Sequence, residues 1–102
     1  GDLYVVKKDG RREKFFREKL ETGISRAFEK RPVKKEDIDK MINEIEEQLM
    51  KRGKKEVSSS FIGELIMKKI KKLDRVAYIR FASVYRDFQD VNDFKKELRE
   101  MK

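Results

Sequence analysis

A chain of 102 residues, 37% hydrophobic and 47% charged, is long enough for one small domain whose modest apolar set lies under a heavily charged surface. Its 28 lysines and arginines exceed its 20 acidic residues to give a net charge of +8, which favours anionic partners such as nucleotides, nucleic acid or acidic lipid. With neither cysteine nor histidine, the chain excludes disulfides, zinc ribbons, thiol nucleophiles and histidine bases within itself. No apolar run approaches the roughly 18 residues of a membrane helix, so a soluble, cytoplasmic module is expected.

The first stretch, Leu3 to Lys7, reads as a strand, and Arg12 to Phe15 reads as its partner. Asp9-Gly10 between them is a strong hairpin signal, because the tight turn needs a positive φ that glycine tolerates. Such a hairpin holds Lys7 and Lys8 on one arm near Arg11, Arg12 and Lys14 on the other, with Lys19 in reach from the helix that follows. A cluster of that kind repels itself unless water solvates it or an anion sits inside.

A first helix is predicted over Arg17 to Lys30, since Leu20, Ile24, Ala27 and Phe28 form one apolar face before Pro32. A second begins near Lys35, with Glu36 and Asp37 at its positive end, and buries Ile38, Met41, Ile42, Ile45 and Leu49 up to a Gly53 cap. Lys54 to Val57 is short enough for a third strand. The serines at 58 to 60 then offer an N-cap to a third helix that reaches Leu73 and buries Ile62, Leu65, Ile66 and Ile70. Asp74 caps a fourth helix, with Ala77, Phe81, Val84, Tyr85 and Phe88 on one side. Beyond Asp90, Val91, Phe94, Leu98 and Met101 recur in a narrow seam that suits a partner helix.

The expected architecture is α+β: a small sheet of two or three strands, made of the N-terminal hairpin plus a short third strand, caps a four-helix bundle that carries a C-terminal helical extension. Residues 1–90 form the module, and residues 91–102 form the extension and a candidate oligomer contact.

Three stretches carry a resemblance to a known family: VVKKDGRREKF at 5 to 15, EKRPV at 29 to 33, and LDRVAYIRFASVYRDFQDVNDF at 73 to 94. Together they resemble the ATP-cone of the NrdR family, bacterial repressors of ribonucleotide reductase genes. The hairpin motif is shared by ATP-cones generally, and RFASVYRDF points to the repressor branch. The resemblance implies an allosteric domain that binds ATP or dATP as effector, with Mg²⁺ brought by the phosphates, and that changes its homo-oligomeric state in response. Family members carry a zinc ribbon that contacts DNA. This chain holds no cysteine for one, so specific DNA binding is not expected of it, nor is membrane binding.

Carried over by resemblance, Val5 and Phe15 border the adenine, Lys7, Lys8 and Lys19 approach phosphate oxygens, and Glu13 positions the base or sugar. Ser59 and Tyr85 contribute to the pocket wall. The chain departs from the family pattern at Lys8, where arginine is common, and at Phe16, where a small polar cap, usually aspartate, stands. Lysine lacks the planar fork of arginine.

Read without the resemblance, the basic hairpin is first a solvated charged edge that discourages strand pairing, and the serine run is an N-cap. Tyr78, Phe81, Tyr85 and Phe88 read as core by their spacing, and Glu44, Glu46 and Glu47 as solvated ion-pair partners. The alternative function is a basic module that binds nucleic acid without sequence preference. Catalysis is not expected, because the GxxxxGK[ST] loop, histidine and converging carboxylates are all missing.

Overall fold

The computed structural model describes residues 2–101, so Gly1 and Lys102, the outer ends of the two expected segments, lie outside the described residues. Gly10, at φ +90°, makes the turn that folds β1 (Tyr4–Val6) onto β2 (Arg12–Lys14). The Lys7 N–H donates to Arg11 O at 2.8 Å, and the Asp9 carboxylate accepts from the Arg11 N–H at 3.0 Å. The pair is antiparallel with Val5 opposite Glu13, and β3 (Glu56–Ser58) joins β1 in parallel with Val57 opposite Val5. Strand order is β2-β1-β3. All three strands are shorter than their apolar patterns suggest, and β3 is shifted toward Ser58.

Five helices follow from caps and apolar stripes: α1 (Arg17–Ala27), α2 (Lys35–Lys51), α3 (Ser59–Leu73), α4 (Arg75–Tyr85) and α5 (Val91–Glu100). Helix α1 stops three residues before the expected Lys30. Arg80 of α4 donates to the carbonyls of Ala27 and Glu29 at 3.2 and 2.6 Å, which gives the chain's exit a partner outside the helix. Lys30 then turns left-handed at φ +62° ahead of Pro32. Gly53, at φ +63°, ends α2 as expected. Of the three serines, Ser58 is the cap of α3, accepting from the Phe61 N–H at 3.1 Å.

Ile24, Ile45, Leu49 and Ile70 are fully buried where α1, α2 and α3 meet. Each such side chain contributes about 1.5–3 kcal/mol over an exposed one. Ile62 and Leu65, expected inside, are half-buried, while Gly63 and Met67 take the inner positions of α3. On α4 the inner face is Ala77, Tyr78 and Ala82, with Phe81 and Tyr85 beside it. Val84 lies to the side of that face and is 82% exposed, contrary to the periodic reading, and Phe88 falls beyond the helix end.

Helix α5 packs on α4 with an unexpected face. Its buried residue is Glu97, followed by Met101 at the helix end, while Val91 and Leu98 of the apolar seam are exposed. The Tyr78 hydroxyl and the Arg86 guanidinium satisfy the Glu97 carboxylate and draw that polar side inward. Among the described residues, no helix is long and apolar enough to cross a membrane.

Candidate functional site

The hairpin bends over the first turns of α1 and α3 and the last turns of α4, leaving a cleft of about 570 Å³. Phe15, Leu20, Ile62, Ile66 and Phe81 make its apolar floor, and Lys7, Lys8, Arg11, Lys14 and Lys19 line its rim with only Asp9 and Glu13 as counter-charges. The site is therefore apolar inside and cationic at the mouth.

One carboxylate organises the rim. Glu13 Oε2 stands 3.3 Å from Lys19 Nζ and 3.6 Å from Lys7 Nζ, and its Oε1 stands 3.8 Å from an Arg11 terminal nitrogen. Lys19 above all, with Lys7 and Arg11, holds the Glu13 carboxyl below the usual carboxylate range. Asp9 is held low too, chiefly by the Arg11 backbone N–H and then by its side chain at 2.7 Å. Lys8 and Lys14 make no ion pair with either cleft carboxylate; Lys14 pairs instead with Asp2 at 3.6 Å.

The floor depends on a close approach. Gly63 of α3 faces the ring of Tyr85 so tightly that a Cβ there would overlap Cε1 and Cζ. No side chain fits unless the ring moves. The Tyr85 hydroxyl donates to Ser60 O at 3.2 Å, Phe81 stacks alongside with ring centroids 6.2 Å apart, and burial pushes the phenol's pKa up. Tyr85 is thus a pinned wall rather than a loose lid.

Two helix starts also border the cleft. At α1 the cap position is Phe16, whose side chain makes no cap hydrogen bond and instead lines the cleft, half-exposed, with Lys14 Nζ 5.7 Å from its ring centroid. The first-turn N–H groups of α1 therefore lack a side-chain acceptor, which leaves a positive dipole end beside the cationic rim. At α3, Ser58 caps and Ser59 lines the cleft.

All eight residues singled out from sequence, Val5, Lys7, Lys8, Glu13, Phe15, Lys19, Ser59 and Tyr85, line this one cleft. The resemblance assigned Glu13 to base or sugar, and in the structure its carboxylate sits among the cations. Sequence reasoning left out Leu20, Ile62, Gly63, Ile66 and Phe81, because apolar residues at helical spacing read as core, and singled out Phe16 only as a departure at the cap position. Gly63 alone carried a signal: an isolated glycine inside a helical pattern marks a close approach.

Comparison with known proteins places the chain in a family. Residues 3–91 match the ATP cone domain family. The transcriptional repressor NrdR of Kosmotoga olearia is 52% identical over 100 residues, which cover 98% of this chain and 63% of the relative. That of Fervidobacterium nodosum is 47% identical over 102 residues, 100% of this chain and 67% of the relative, and that of Listeria monocytogenes is 52% identical over 99 residues, 97% and 64%. The chain spans a little under two thirds of the Kosmotoga and Listeria relatives.

Proposed function

Since the chain belongs to the ATP-cone family, we propose that it is a regulatory module that binds ATP or dATP in the cleft between hairpin and helices. The observation that carries this reading is the division of the cleft: an apolar floor suited to a base, and a rim of five cations suited to phosphates. Its volume falls within the range of about 300–1,000 Å³ typical of small-molecule sites. Val5 and Phe15 border the adenine, Lys7, Lys8 and Lys19 hold phosphate oxygens together with the free N–H groups of α1, and Ser59 and Tyr85 form the far wall. Glu13 is the residue through which the rim cations exchange one anion for another. Mg²⁺ arrives on the phosphates, because both cleft carboxylates already have cationic partners.

The module serves as the sensor of a repressor of ribonucleotide reductase genes. Nucleotide in the cleft changes the packing of α4 and of the α5 extension, residues 91–102, and so changes which homo-oligomer is favoured. Such a switch requires only that the nucleotide bind one assembly better than another.

Isothermal titration with ATP and with dATP, on the wild type and on Lys7→Ala, tests the binding claim. Saturable heat that Lys7→Ala weakens by about tenfold is expected for one lost charge-assisted contact. No heat with either nucleotide, together with salt-steep binding to generic DNA, would overturn it in favour of a polyanion-binding surface. Light scattering with and without nucleotide tests the oligomer claim, which an unchanged mass refutes.

A further inference from the structure

Glu97 of α5 is the only buried charged side chain among the described residues, 4% exposed, and the nucleotide reading gives it no task. Its Oε2 accepts from the Tyr78 hydroxyl at 2.8 Å, and its Oε1 lies 2.9 Å from Arg86 Nε. Arg86 is the residue after α4 and directly follows Tyr85 of the cleft wall. Its guanidinium lies 5.9 Å from the Tyr85 ring centroid and 3.5 Å from Glu64 on α3. One side chain thus touches the back of the cleft wall, the helix beneath the cleft, and the buried carboxylate that fastens α5.

Resting on the nucleotide reading of the cleft, we propose that Arg86 is a positioning residue that couples cleft occupancy to α5 docking, through Tyr85 on one side and Glu97 on the other.

A carboxylate buried to this degree is tolerated only while its cation and its hydroxyl donor stay in place, and loss of one partner of a buried pair is strongly destabilising. Among the described residues, the remaining ties of α5 include the edge-on contact of Phe94 with Phe88, the burial of Met101, the bond from Arg75 to Met101 O, and the bond from the Gln89 N–H to the Asp93 carboxylate. When Arg86 shifts, α5 lifts until water reaches Glu97. On the other side, the Tyr85 ring has no slack toward α3, because Gly63 already meets it without room for a Cβ. An occupant that presses on the ring moves it away from α3, and Arg86 goes with it. The outward seam of Val91 and Leu98 moves with α5, which makes the latch a route from nucleotide to assembly.

Amide hydrogen exchange of α5, with α2 as internal reference, tests the coupling. In the wild type, ATP should speed α5 exchange by about fivefold or more, the low end of allosteric coupling, without the same change in α2. Glu97→Gln, which removes the buried charge outside the cleft, should loosen α5 without ligand, bind ATP no more weakly than the wild type, and abolish that response. A ligand-free arm stands apart from the nucleotide reading: Gly63→Ala forces the Tyr85 ring off α3 and should speed α5 exchange in the same way, and Tyr85→Leu gives the same readout should Gly63→Ala not fold. If ATP gives no heat, the nucleotide reading falls and the ligand-free arm still decides the latch. Exchange in α5 that moves no more than α2 in the ligand-free variants, or with ATP demonstrably bound, overturns the coupling.

Discussion

Asp74 connects the turn after α1 to the start of α4, and its replacement separates two contributions that act at one carboxylate. Its Oδ2 accepts from the Ala77 N–H at 2.8 Å as the α4 N-cap, and both oxygens take the fork of Arg31, at 2.8 and 3.1 Å. The Asp74 side chain is 10% exposed and that of Arg31 is 29% exposed, so the pair is only partly screened. Asp74→Asn can still cap the helix but loses the charge, at a cost of about 1–2 kcal/mol for charge-assisted bonds whose cation regains some water. Asp74→Ala loses the cap as well, worth about 1 kcal/mol more. At about 4–8 °C per kcal/mol for a domain of this size, the asparagine variant should melt roughly 4–16 °C below the wild type, with alanine lower again.

The pH dependence gives the decisive check. Arg31 above all, with the Ala77 N–H, holds the Asp74 carboxyl below its ordinary value of 3.8. A carboxylate with a depressed native pKa adds stability that is fully present above its unfolded value and is lost as the pH falls through the native one. The gap between wild type and Asp74→Asn should therefore be complete at neutral pH and narrow below pH 3.8, because asparagine does not titrate. Urea titrations across that range measure it. Equal stabilities at neutral pH, or a gap that persists undiminished in strong acid, would refute the assignment.

Three further outcomes follow from the cleft. Gly63→Ala gains about 0.5–1 kcal/mol of helix propensity but must displace the pinned Tyr85 ring, an overpacking cost of about 1–3 kcal/mol, so denaturant titration should find it less stable than wild type. Phe16→Asp gives α1 the side-chain acceptor it lacks and should raise stability by about 1 kcal/mol, read as a higher melting temperature. Glu13→Gln removes the counter-charge from Lys7, Arg11 and Lys19, so inorganic triphosphate should bind severalfold more tightly by calorimetry; weaker or unchanged binding would show that Glu13 does not compete with the anion.

The hairpin, the caps at Ser58 and Asp74, and the stripes of α1 and α2 were legible because each rests on local chemistry: a glycine at positive φ, a short oxygen-bearing side chain at a helix start, an apolar period of 3.6. The eight cleft residues were legible because the hairpin and two helix starts bring them together, and the motifs lie on those elements. What escaped was decided by distant partners. The end of α1 depends on Arg80, which lies some fifty residues further along, and nothing near Lys30 announces it. The hidden face of α5 depends on Tyr78 and Arg86, so the spacing of Val91, Phe94 and Leu98 identified an apolar seam without saying that a glutamate would be turned inward instead.

Phe81 and Tyr85 illustrate the remaining ambiguity in physical terms. The same helical spacing serves for packing against α1 and α3 and for flooring a cleft, and only the hairpin's position decides that their rings border open space. The motif EKRPV gains a similar explanation. Arg31 is neither at the cleft nor free in solvent; its fork on Asp74 fixes where α4 begins, and with it the position of Phe81 and Tyr85 one to three turns along. A residue remote from the cleft thereby anchors the start of the helix that carries two of its lining residues. On this reasoning Arg31→Lys, which keeps the charge but loses the fork, should lower nucleotide affinity along with stability, while Lys35→Ala, whose partner Asp39 lies on the exposed side of α2, should change neither.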